Sequence, residues 1–158
     1  MTWFKTLRGP RSAAAISWIA VVAWAAFIFA ASAHTGSDFR DQTDWLGQLK
    51  AQLDAWLAAA AIPGLTESSS LGHFTEYTVL GALLANALRH HLPLGRACLA
   101  AIVLASCYGV TDELHQLFVP DRCCDPADWV VDTLGAALGA GLAGGAFARK
   151  TDGRGQGN

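Results

Sequence analysis

The sequence predicts an all-α integral membrane protein. The expected form is a four-helix bundle, N-in and C-in, with an extracytoplasmic amphipathic helix between crossings 1 and 2. Three observations predict it. Of 158 residues, 53% are hydrophobic and 15% charged, against roughly 25% charged in an ordinary soluble domain. Apolar stretches fall near 12–33, 71–88, 97–119 and 128–148, each close to the ~20 residues that cross a bilayer as a helix. With the N-terminus inside, the inner segments hold Lys5, Arg8, Arg11, Arg89, Arg96, Arg149, Lys150 and Arg154. The outer segments hold only Arg40, Lys50 and Arg122, a positive-inside bias that all four crossings share.

The first crossing, 12–33, follows a basic flank. Ala31, Ser32 and Ala33 resemble a signal-peptide cleavage site, but the apolar run exceeds the usual h-region of roughly 7–15 residues, so the helix is expected to be retained. Within 43–61, Trp45, Leu46, Leu49, Leu53, Trp56 and Leu57 recur at helical spacing among polar residues. That pattern suits a helix lying in the headgroup region or packed on the bundle's rim. Pro63 and Gly64 end it, and the polar stretch 67–70 offers caps for the second crossing. His90 and His91 lie in a basic loop before the third crossing and are expected to be solvated. Pro120 stops that crossing. In the fourth, Gly135 with Gly139 and Gly141 with Gly145 form two G-x-x-x-G pairs, a spacing that lets helices approach closely. Residues 1–150 form one domain, and the Gly-rich tail 151–158 is expected to be disordered.

The stretch 108–122 carries Asp112, Glu113, His115 and Gln116 in a membrane setting, where ionisable side chains are costly and face the bundle interior. Only Asp152 of the 13 acidic residues falls inside. His73 and Tyr77 open the second crossing, Asp112 to Gln116 close the third, and Asp128 and Asp132 open the fourth. Three helices thus deliver polar groups to one shallow depth at the outer side. Asp112 shares a helix face with His115 and Gln116, so the carboxylate is expected to orient the imidazole, with Glu113 turned about 100° away. Arg122 is the cation expected beside these carboxylates or an anionic substrate.

Such a cluster has several uses. It could bind or modify a headgroup by acid–base chemistry, with a membrane lipid or lipid-linked envelope molecule as partner. It could hold a divalent metal through His73, His115, Glu113 and Asp128, although no strong ligand spacing supports that and no cofactor is required. It could simply fix the helices by hydrogen bonding. Ion- or proton-coupled transport is weaker, because four helices without repeats would need a homo-oligomer. A net charge of -2 and no basic face exclude a nucleic-acid footprint. Cys98, Cys107, Cys123 and Cys124 have no zinc spacing, and the adjacent pair is given no role.

Three blocks carry a resemblance. They are His73-Phe74-x-x-Tyr77-x-x-Leu80-Gly81, then Asp112-Glu113-x-His115-Gln116-x-Phe118-x-Pro120-x-Arg122, then Asp128-x-x-x-Asp132-x-x-Gly135-x-x-x-Gly139. In this order they resemble the VanZ-like membrane protein family over about half the chain. The resemblance implies a compact multi-pass domain of the bacterial inner membrane, with a polar cluster at His73, Tyr77, Asp112, Glu113, His115, Gln116, Arg122 and Asp128. The family's founding member is associated with glycopeptide resistance, so a glycopeptide-type envelope molecule joins the expected ligands. Ser70 stands where members often carry Lys, Asp121 where Gly is usual, and Asp132 where Asn is common. The last two departures make the cluster more acidic.

Overall fold

The computed structural model describes residues 10–33, 68–120 and 124–155, together with positions 52, 55 and 59. Its elements are α1 (Pro10–Ser32), α2 (Ser68–Leu88), α3 (Leu94–Gln116) and α4 (Pro126–Gly155), with no strand among the described residues. The amphipathic helix expected over 43–61 lies outside them but for helical Gln52, Ala55 and Ala59. Arg122 and Cys123 lie outside them altogether.

Three helical stretches are long and apolar enough to cross a membrane: Arg11–Ser32, Leu94–Gln116 and Pro126–Lys150. At 21 residues α2 has comparable length but is not among them, because His73, Glu76 and Asn86 interrupt its apolar run. Its position explains the polarity. α2 packs against each of the other three helices, most extensively against α4, while α1 rests on α2 and touches α3. A helix screened by neighbours needs less apolar surface than one facing lipid.

Small residues make the close approach possible. The buried face of α3 runs Ala97, Ala101, Ala105 and Gly109, one turn apart, before reaching Asp112, Glu113 and Gln116. Its outward face carries Leu99, Val103, Leu104 and Val110, all exposed. Small residues inside and large apolar ones outside is the arrangement expected where lipid is the solvent. Between α2 and α4 the fit is tighter still. A methyl on Gly81 would meet the Ala136 carbonyl, one on Gly135 the Phe74 carbonyl, and one on Gly139 the Thr78 carbonyl. The first G-x-x-x-G pair therefore packs helices as expected. The second does not: a methyl on Gly141 or Gly145 would meet nothing within 4 Å.

Helix ends differ from expectation in ways that move the polar residues. α3 stops at Gln116 and not at Val119, because a residue before proline is pushed out of the helical region. The amides of Phe118 and Val119 donate to the carbonyls of His115 and Gln116 at 2.9 and 3.1 Å, closing a tight turn. Asp112 consequently lies one turn, about 6 Å, from the helix end, shallower than a helix to Val119 would place it. α4 begins at Pro126, ahead of the expected Asp128. The Asp125 carboxylate accepts the Ala127 amide at 2.8 Å as an N-cap, and Pro126 fills the first helical position, where its missing N–H has no cost. At its other end α4 continues to Gly155, into the segment expected to be disordered.

Opposite the acidic residues, the α2–α3 turn is tied to α1. Asn86 donates to Ser17 Oγ at 3.0 Å, and Trp18 donates its indole N–H to His91 Nε2 at 3.4 Å. His90 Nε2 lies 3.4 Å from Ser17 Oγ. Desolvation, then the charges of Arg89 and His91, hold His90 below the ordinary histidine range. His91 is exposed and His90 half-buried, so the pair lies at the solvated edge of the turn, as its loop position suggested, with contacts to α1.

Candidate functional site

The sharp turn after α3 and the capped start of α4 bring three helix ends together. α2 contributes His73 and Tyr77, α3 contributes Asp112, Glu113 and Gln116, and α4 contributes Asp128 and Asp132. All but Asp128 are buried, and Asp128 is half-buried. His73 Nδ1 lies 3.2 Å from Asp132 Oδ1, with the aspartate fully enclosed. Gly109 permits that depth, since a side chain there would press on Asp132 Oδ2 at 3.1 Å and on Trp129 at 3.3 Å. Glu113 Oε2 accepts the Asp125 amide at 2.8 Å, tying the end of α3 to the cap of α4. Ser70 Oγ donates to Asp128 Oδ1 at 3.0 Å. Tyr77 is fully buried, within reach of the charges of Asp132 and Asp112. Its neighbour Tyr108 is anchored elsewhere, donating to the Ala25 carbonyl of α1 at 2.7 Å.

One expected pairing is not made. Both Asp112 oxygens are buried without a hydrogen-bond partner, so Asp112 does not orient His115. The His115 ring stacks on Phe29 of α1, centroids 4.2 Å apart and tilted by 33°. The histidine held by a carboxylate is His73, through Asp132. The cause is geometric: residues three apart still differ by about 60° around the helix. That is enough to turn Asp112 into the core while His115 meets α1.

Many polar atoms in the cluster are buried yet unpaired. They are the Tyr77 hydroxyl, both oxygens of Asp112, Glu113 Oε1, Gln116 Nε2 and Asp132 Oδ2, with His115 Nδ1 nearby. Native proteins leave few such groups, because each costs about 1–3 kcal/mol without a partner. Among the described residues the one ion pair at these carboxylates is His73–Asp132. Beside the cluster, an open groove of about 160 Å³ is lined by Val110, Glu113, Leu114, Cys124, Pro126 and Trp129. Glu113 belongs to both, so the apolar trough on the outward face lies against the buried acidic end, one side chain away.

His73, Glu113 and Asp128 each offer a ligand atom, all within 4.8 Å of one another. Of the residues expected as metal ligands, His115 is not in that group. Gly109 and Asp125 were not among the residues expected at the site. Their signals were present: Gly109 continues the one-turn stripe of small residues, and Asp125 before Pro126 is an N-cap signature.

A family model described as VanZ/LLP1 matches residues 17–147. No curated protein and no solved structure matches the chain.

Proposed function

The chain belongs to the VanZ/LLP1 family, and on that premise we propose that the buried polar end of the bundle binds or modifies a headgroup. The molecule carrying it is a membrane lipid, or a lipid-linked or glycopeptide-type component of the cell envelope. What supports the reading above all is the set of buried, unpaired polar atoms on Tyr77, Asp112, Glu113, Gln116 and Asp132. If the cluster served only to hold helices together, those atoms would be paired with one another. The neighbouring groove suits the remainder of such a molecule, because Val110, Leu114 and Trp129 offer apolar surface to an acyl or prenyl chain. His73, with Nδ1 taken by Asp132, leaves Nε2 to meet the bound group.

In this proposal the protein is a multi-pass component of the bacterial inner membrane, with α2 as a fourth crossing and the cluster at the extracytoplasmic side. The distribution of Lys and Arg supports that orientation. Alkaline phosphatase joined after Asp125 will then be active, and joined after His91 inactive. The reverse pattern would overturn the outer-side placement.

A further inference from the structure

We propose that His73, Glu113 and Asp128 bind a divalent metal ion of the zinc or manganese type, with an open coordination position for the headgroup. The ion proposal rests on reading the cluster as a binding site, and names the means by which that site would hold an anionic group.

Each candidate ligand has one polar atom fixed by a neighbour. Asp132 takes His73 Nδ1 at 3.2 Å, which leaves Nε2 as the ligating nitrogen. A carboxylate on the second ring nitrogen sets the tautomer and orientation of metal-bound histidines generally, and raises their basicity. The Asp125 amide takes Glu113 Oε2, while Glu113 Oε1 is buried without a partner in a residue only 4% exposed. Ser70 takes Asp128 Oδ1. These three anchors come from α4, from the turn before it and from α2, so they hold the ligands independently of one another.

The ligand chemistry narrows the ion. One imidazole with two carboxylates is a mixed nitrogen and oxygen set, suited to zinc or manganese and poorly suited to calcium, which takes 6–8 oxygens. Bonds of about 2.0–2.1 Å put tetrahedral ligand atoms about 3.4 Å apart. From within 4.8 Å of one another, modest side-chain rotation reaches that spacing. Three protein ligands leave a fourth position, the arrangement of metal sites that take a substrate or water. Glu113 also lines the apolar groove, so a molecule seated there lies one side chain away from the ion. Two carboxylates and a neutral imidazole balance a divalent charge in a setting where unpaired charge is costly.

The test uses full-length protein purified in mild detergent, stripped with chelator and equilibrated by dialysis with zinc or manganese ions. Metal is measured by mass spectrometry, and cobalt substitution gives a visible spectrum that reports coordination. Wild type is expected to bind one ion per chain. His73→Ala and Glu113→Gln should abolish binding, and Asp132→Asn should weaken it about 10–100-fold. His115→Ala, outside the ligand set, should bind as wild type does. Circular dichroism and gel filtration verify folding, and Glu113→Gln, which keeps the side chain's shape, decides if His73→Ala does not fold. Failure of wild type to bind either ion, or binding unchanged in Glu113→Gln, overturns the proposal. Co-purified lipid measured on the same samples separates the two readings. Lipid retained without a metal site would defeat the ion alone, and a metal site without lipid would defeat the headgroup reading.

Discussion

Gly139→Leu will destabilise the bundle severely, whereas Gly145→Leu will leave it unchanged. The two glycines lie on one helix and differ in what faces them. A methyl on Gly139 would overlap the Thr78 carbonyl and crowd the Ala82 amide, both backbone atoms that cannot rotate away. Leucine there forces α2 and α4, the most extensively packed pair, to separate, and the loss reaches His73 and Asp132 at the end of the same interface. Overpacking ordinarily costs about 1–3 kcal/mol, and more when backbone is displaced. At about 3 kcal/mol, a chain of this size loses roughly 6–12 °C in Tm. Gly145 faces open space, where a leucine adds only lipid-facing surface. Thermal unfolding in detergent, followed by circular dichroism, measures both; equal losses would mean that α2 and α4 do not meet through Gly139.

Tyr77→Phe combined with Asp112→Asn will keep or raise stability and abolish the binding proposed at the polar end of the bundle. Tyr77 is fully buried with an unpaired hydroxyl, and Asp112 is 2% exposed with neither oxygen paired. Removing the unpaired Tyr77 hydroxyl recovers about 1–3 kcal/mol, and asparagine at 112 takes a carboxylate out of the interior while keeping the side chain's shape. Protein freed of bound lipid should therefore unfold at the wild-type temperature or a few degrees above it, at roughly 2–4 °C per kcal/mol. Stability gained where function is lost is the trade expected of a binding site. If these side chains served only to join helices, the same variant would lose stability by about as much.

Much of this arrangement could be read from the chain. The apolar runs predicted four helices, and the positions of His73, Asp112, Glu113, Asp128 and Asp132 near helix ends predicted that they would meet. What could not be read was which neighbour each face would find. Spacing put Asp112 and His115 on one side of α3, but Phe29, far away in sequence, takes His115 and leaves Asp112 to the interior. Two identical G-x-x-x-G spacings have different fates, because only Gly135 and Gly139 are opposed by α2. The centrality of α2 was also hidden, since nothing in the spacing of its polar residues shows that the other three helices pack around it.

The central claim is that the unpaired polar end of the bundle is a binding site. Native mass spectrometry of protein released from its own membranes tests it most directly, comparing wild type with the Tyr77→Phe and Asp112→Asn double variant. Wild type should retain a molecule with a polar headgroup, and the variant should lose it while remaining folded. The same lipids retained in the same amounts by both, or none by wild type, would contradict the claim.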